Sequence, residues 1–232
     1  MLSGRTNPCG RLPVSVPRGP GAQPATYLGA RLAHVSEVST IDPTPAFGFG
    51  HGLSYTEFDW SDLVVAVNEV PTDGAFHLAF TVRNTGGRHG TEAVQLYLDD
   101  PVASVVQSVQ RLIGYTQVAL EPGEAQRVRV RVTVPADLAS FTGRDGRRVV
   151  EPGELELRLA ASSTNPRLTA TVTLTGPNAT WTTQGASMRS SSKERERIRQ
   201  TTLDRFRHGR HLPVVAARIS LQVRLNCPVG QS

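Results

Sequence analysis

Arg127-Val128-Arg129-Val130-Arg131-Val132-Thr133-Val134 decides the fold. Every second residue is valine and every residue between is polar, a period of two that puts the valines on one face of an extended strand and the arginines on the other. Working outward, the same alternation recurs. Phe76, Leu78, Phe80 and Val82 interleave with His77, Ala79, Thr81 and Arg83; Val94, Leu96 and Leu98 with Gln95, Tyr97 and Asp99. Leu155, Leu157 and Leu159 interleave with Glu156 and Arg158, and Leu168, Ala170, Val172 and Leu174 with Thr169, Thr171 and Thr173. Leu63–Val67 and Leu112–Leu120 complete a set of seven predicted strands, each half-buried, with one face on a core and one in water.

Turn chemistry falls between these segments. Asn84-Thr85-Gly86-Gly87 separates two of them, and Glu-Pro-Gly-Glu occurs at 121–124 and again at 151–154. Proline fixes φ at the first central position and glycine supplies the positive φ of the second, so both tetrapeptides are expected as type II turns. Asp145-Gly146 suits a two-residue hairpin. Short strands at this spacing predict an all-β fold: a two-sheet antiparallel immunoglobulin/fibronectin III-like sandwich, with an extended N-terminal segment and a basic, largely irregular C-terminal tail. Residues 56–176 are expected to fold alone. Residues 10–55, rich in proline and glycine, read as a connection rather than a domain.

Composition bounds the function. The chain has 232 residues, 38% hydrophobic, enough apolar side chains for a packed core. No run of 18 uncharged apolar residues exists, and no apolar stretch follows Met1-Leu2-Ser3-Gly4-Arg5. Neither a membrane span nor a signal peptide is therefore visible, which gives a cytoplasmic expectation by default. Cys9 and Cys227 are too few and too distant for a disulfide framework or a zinc site and are expected as free thiols. The net charge of +5 is uneven: residues 177–232 hold 10 Lys/Arg against 3 Asp/Glu, leaving 15 against 17 for residues 1–176. The basic character belongs to an appendage, which reads as a solvated extension.

Several motifs then carry a resemblance. Phe47-Gly48-Phe49-Gly50-His51-Gly52-Leu53-Ser54-Tyr55-Thr56 resembles the Phe-Pro-Phe-Gly-His/Tyr-Gly-Leu-Ser-Tyr-Thr signature of glycoside hydrolase family 3, the β-glucosidase and β-xylosidase family. Val82-Arg83-Asn84-Thr85-Gly86, Glu92-Ala93-Val94-Gln95-Leu96-Tyr97, Leu112-Ile113-Gly114-Tyr115 and both Pro-Gly-Glu turns are similar to motifs that follow it in that family. Upstream, Asn7–Arg18 resembles the end of the family's α/β sandwich domain. Gly48 for the usual proline and Cys9 for serine are departures. The resemblance implies that residues 1–46 are a remnant of the α/β sandwich and a linker. It makes 47–176 the junction motif with a fibronectin type III-like domain, and 177–232 a basic tail expected to be poorly ordered.

It also implies what is missing. Such hydrolases use two carboxylates held about 5–5.5 Å apart, and both lie upstream of the matching segment, so no catalytic, cofactor-binding or metal residue is carried over and no cofactor is expected. The expected role is a non-catalytic accessory domain giving structural support to a glycosidase, its partner being the catalytic domains of a family 3 glycosidase. The chain alone is expected to be inactive. Phe47, Phe49, His51 and Tyr55 are the candidates for a substrate channel or domain junction.

Other chemistry is weaker. Asp99 and Asp100 adjoin on a strand and so point to opposite faces; Ser54 lacks a nucleophile elbow; Trp60 and Trp181 each lie at a segment edge. Two alternatives stand beside the main reading. One is an autonomous module binding a carbohydrate polymer or other partner, with Arg127, Arg129 and Arg131 on one face. The other is nucleic-acid binding by the arginines of 189–210, a weak case without interleaved aromatics. Finally, Val215, Ala217, Ile219, Leu221, Val223 and Leu225 alternate with polar or small residues as an eighth strand pattern with no evident partner.

Overall fold

A computed structural model describes residues 3–22, 26–31, 35, 37, 40, 42–133, 138–181 and 214–217, with backbone only for 126–133, 181 and 214–217. Its strands are β1 (Phe58–Val65), β2 (Glu69–Pro71), β3 (Ala75–Asn84), β4 (Gly90–Asp99), β5 (Arg111–Leu120) and β6 (Ala125–Thr133). They continue with β7 (Phe141–Thr142), β8 (Arg148–Val150), β9 (Gly153–Ser162), β10 (Asn165–Thr175), β11 (Ala179–Trp181) and β12 (Val214–Ala217). A four-stranded sheet of order β1-β3-β6-β12 faces a five-stranded one of order β2-β10-β9-β4-β5, and β11-β8-β7 forms a small third sheet. This is the sandwich that the alternation predicts.

The core lies where the period of two places it. Phe76, Leu78, Phe80 and Val82 of β3 are buried against Val94, Leu96 and Leu98 of β4, Leu155, Leu157 and Leu159 of β9, and Val172 and Leu174 of β10. Burying each such side chain contributes roughly 1.5–3 kcal/mol. Trp60 joins them at 8% exposure, its ring stacked 5.9 Å from Phe80, so it is a core residue and offers no exposed platform.

β1 begins earlier than its predicted span. A bulge between Ser61 and Val64 carries Asp62 at φ 55°, a conformation that aspartate tolerates better than most residues. The extra residue moves the inward set from Phe58 and Trp60 to Leu63 and Val65, and so hides the first half of the strand from a strict period of two.

The Asn84 turn is held from within. Asn84 is 0% exposed; its side-chain oxygen accepts from the Thr56 hydroxyl at 2.6 Å and the Gly86 N–H at 3.1 Å. Its amide nitrogen donates to Arg88 O at 2.7 Å and Leu120 O at 3.1 Å. Of the two Pro-Gly-Glu turns, the first has Gly123 at φ 76° with Glu124 N–H donating to Glu121 O, as expected of type II. The second does not: Gly153 has φ 156° and already starts β9. Asp145-Gly146 turns, but not as the expected two-residue hairpin: Gly146 N–H donates to Gly143 O at 3.0 Å and Gly143 N–H to Arg147 O at 2.8 Å, closing a three-residue loop of Arg144, Asp145 and Gly146 in which Gly146 alone has positive φ, 76°.

Two further expectations change. Cys9 is not a free thiol: it is 3% exposed and disulfide-bonded, because separation along the chain does not measure distance in a fold; Cys227 lies outside the described residues. The eighth strand pattern does have a partner over Val214–Ala217, which pairs in parallel with Arg127–Val130 of β6; its continuation to Leu225 and the arginines of 189–210 lie outside the described residues.

Candidate domain-docking surface

The connecting segment before β1 is a strap folded back on the sandwich. Leu12 N–H donates to His51 O and Gly50 N–H to Leu12 O; Val16 N–H donates to Phe47 O and Ala46 N–H to Val16 O, all at 2.8–2.9 Å. Residues 12–16 and 46–51 thereby form a two-stranded ribbon. Asn7 pins one end, its amide donating to His89 O at 3.0 Å and its oxygen accepting from Tyr55 N–H at 2.8 Å and the Ser54 hydroxyl at 3.1 Å.

The strap covers the outer face of β4. Alternation predicts that Gln95, Tyr97 and Asp99 are wet, yet all three are at most 4% exposed. Gln95 donates to Gly50 O at 3.1 Å and to Ala161 O at 2.8 Å, and accepts from the Tyr97 hydroxyl at 2.6 Å. Gly50 has φ 77°, and a Cβ there would stand 2.0 Å from the Gln95 amide oxygen, so only glycine admits this approach. Tyr27 stacks on Phe49 with centroids 4.4 Å apart and meets Tyr97 edge-on at 5.9 Å. Burial pushes the Tyr97 phenol far above its ordinary range, which keeps it a hydrogen-bond donor.

Charges clamp the strap at both ends. Arg31 donates to Asp99 Oδ1 and, at 2.7 Å, to Asp100 O, while Arg158 donates to Asp99 Oδ2 at 2.8 Å. Both oxygens of Asp99 are thus engaged by guanidinium groups. At the other end Arg11 donates to Glu92 Oε2 at 3.0 Å, with both side chains largely buried. Burial raises the Glu92 carboxyl above its ordinary 4.5, opposed by the charges of Arg11 and Arg167.

A carboxyl raised in the folded state keeps its proton longer than in the unfolded chain, so its contribution is fully present in acid and is lost as pH rises through the folded value. Glu92→Gln is expected to flatten the fall in stability between about pH 4 and neutrality. Melting curves across that range check it; unchanged slopes would count against this role.

The predicted site residues do not converge. Phe49 turns inward to Tyr27, which in turn meets Tyr97, Phe47 and His51 pair on the outer side with centroids 5.0 Å apart, and Tyr55 lies under the Arg88 guanidinium at 5.9 Å. Sequence reasoning missed Asn7, Arg11, Tyr27 and Arg31, the strap's own anchors, because a Pro/Gly-rich stretch carries no periodicity to mark them. Among the described residues no three His, Cys, Asp or Glu side chains group as metal ligands. A hollow lined by Leu98, Asp100, Gln107 and Arg111 has room for about one water, too small for a sugar.

The strap instead presents hydrophobic surface. Of eleven exposed large apolar side chains among the described residues, seven lie on it, including Val14, Phe47, Leu53 (73% exposed) and Tyr55. Two more, Val102 and Val106, are over 80% exposed on the β4–β5 loop. That loop is fastened to the strap by the Ala30–Ser108 bridge and a Val109 N–H to Gly29 O bond. It is also held to the third sheet by Glu151, which accepts from Ser104 N–H, and Arg144, which donates to Ser104 O.

Residues 92–163 match the model of the fibronectin type III-like domain. A putative beta-xylosidase of Formosa agariphila is 31% identical over 170 residues, 73% of this chain and 22% of its own length. A beta-glucosidase of Bacteroides ovatus is 33% identical over 186 residues, 74% of this chain and 25% of its own. The structure of a β-glucosidase from Erythrobacter marinus superposes with a TM-score of 0.69 at 33% identity, covering 75% of this chain and 23% of that one. The chain therefore spans about a quarter of the length of the relatives it matches.

Proposed function

The chain carries the fibronectin type III-like domain of the family 3 glycoside hydrolases, and from that we propose that it is a non-catalytic accessory domain that braces the catalytic part of a glycosidase. The carrying observation is the concentration of exposed apolar side chains on the strap and the loop clasped to it. A domain serving only as a spacer has no need to hold Val14, Leu53, Val102 and Val106 out of its core. In this reading Phe47, His51 and Tyr55 stand at the domain junction, on the side that meets the catalytic part, while Phe49 anchors that side to β4.

Mixing the chain with a family 3 glycosidase from which the corresponding domain has been removed tests the proposal. A complex is expected, and Leu53→Asp should weaken it at least about tenfold, since a buried unpaired charge at an interface costs well over 1.4 kcal/mol. No complex, or one indifferent to Leu53→Asp, would remove the docking role. The 232-residue chain alone is expected to leave an aryl β-glucoside unhydrolysed; turnover that survives purification and tracks the protein would overturn the non-catalytic assignment.

A further inference from the structure

Asparagine occurs at positions 7, 68, 84, 165, 178 and 226, and only Asn178 is followed two residues later by serine or threonine: Asn178-Ala179-Thr180, with no proline between them. That spacing is the acceptor signal for N-linked glycosylation, which needs the asparagine on the surface. The fold puts it there. Thr72 N–H donates to Thr175 O at 3.0 Å and the Thr72 hydroxyl to Pro177 O at 2.7 Å, while Gly176 takes φ 97°, so the turn that leaves β10 is fixed. Asn178 follows as an exposed residue outside any strand, and β11 starts at Ala179, opposite Val150 of β8. Asparagines kept for structure are consumed by the fold, as Asn84 is at 0% exposure and Asn7 is by His89, Ser54 and Tyr55. Asn178 is spent on nothing of the kind: no hydrogen bond joins its amide, or the exposed Thr180 hydroxyl, to another described residue.

We infer that Asn178 is an N-glycan acceptor, modified by a transferase that draws on an oligosaccharide carried by a polyisoprenyl diphosphate. In the transfer a bond forms between Asn178 Nδ2 and the anomeric carbon of the first sugar, the bond from that carbon to the diphosphate oxygen breaks, the amide gives up one proton and the lipid diphosphate leaves. Thr180 supplies the hydroxyl that completes the signal. The disulfide at Cys9 agrees with this chemistry, because such bonds form and persist in the oxidising compartments through which secreted proteins pass. The site also has the room it needs: the glycan is bulky and solvated, and it leaves the protein from the end of a turn rather than from a packed strand. The assignment stands on Asn178, Thr180 and Cys9 and does not depend on the docking role.

Directing the full chain into the secretory pathway of a eukaryotic cell tests the inference, with secreted and cell-retained protein both analysed so that poor export does not hide the result. A slower-migrating band is expected, which a peptide N-glycosidase collapses to the unmodified position, leaving aspartate in place of Asn178 in the tryptic peptide. Asn178→Gln and Thr180→Ala should each abolish the shift. Thr180→Ser should keep it, since serine carries the same hydroxyl, and Asn165→Gln should leave it unchanged. A chain that migrates without the shift, a shift that survives Thr180→Ala, or a glycan that maps to another asparagine would overturn the assignment.

Discussion

Asn84→Ala is expected to lower the unfolding free energy by about 3–5 kcal/mol, seen as a fall in melting temperature on the order of 10 °C or more. The side chain fills a fully buried site, and all four of its hydrogen bonds go to groups that the fold fixes: the Thr56 hydroxyl, Gly86 N–H, Arg88 O and Leu120 O. Alanine removes every partner at once. A buried polar group left unsatisfied costs roughly 1–3 kcal/mol, more than a typical intact hydrogen bond contributes. Asn84 also stitches across distance, tying the segment before β1 to the β3–β4 turn and to the end of β5. Asn84→Asp should be about as harmful, because its second oxygen would face two carbonyl oxygens where the amide now donates. Thr85→Ala, next in sequence, removes only an exposed 3.3 Å bond to Glu57 O and should cost less than about 1 kcal/mol. Equal melting temperatures for Asn84→Ala and Thr85→Ala would show that the network is incidental.

Gly50→Ala should detach the strap while leaving the sandwich folded. The new methyl would stand 2.0 Å from the Gln95 amide oxygen and 2.6 Å from its nitrogen, at a φ of 77° that alanine resists. The left-handed conformation alone costs roughly 1–2 kcal/mol. An exposed glutamine would swing aside cheaply; this one is 4% exposed and bonded to Gly50 O, Ala161 O and Tyr97, so moving it strands three groups. The combined cost is on the order of 3–4 kcal/mol. Because the ribbon of residues 12–16 and 46–51 lies outside the core cluster, the loss falls on it before it reaches Phe76, Phe80 or Leu157. Hydrogen exchange should report it: amides of Val16 and Gly50 would lose protection at least tenfold while those of β9 keep theirs. Unchanged protection at Val16 and Gly50 would show that the strap is held by other means.

Much of this architecture is legible in the sequence, and the reason lies in solvent. Where one face of a strand meets water, alternation writes the burial pattern directly into residue type, as in β3 and β10. Asn84-Thr85-Gly86-Gly87 and the first Pro-Gly-Glu turn are readable because each needs a residue with unusual backbone or hydrogen-bonding properties. The outer face of β4 is different. Gln95, Tyr97 and Asp99 look like solvent-facing residues because they are polar, and only the strap's Gly50, Tyr27 and Arg31 turn that face into interior. Polarity marks the need for a partner, whether water or protein, and cannot distinguish the two. Bulges escape for a related reason: Asp62 shifts the phase of β1, and a broken period reads as no period. Phe47, Phe49, His51 and Tyr55 stand out as a group only by resemblance, and their division into Phe49 inside and Phe47, His51 and Tyr55 outside depends on the turn at Gly50.

The strap redraws the portable unit. Alternation alone would cut this module out at residue 56, and a piece so trimmed would bare the Gln95–Tyr97–Asp99 row to water and leave Glu92 without Arg11. Transplanting the module therefore calls for the chain from Asn7 onward, because Tyr27, Arg31 and Gly50 cover the outer face of β4 and Arg11 is the partner of Glu92.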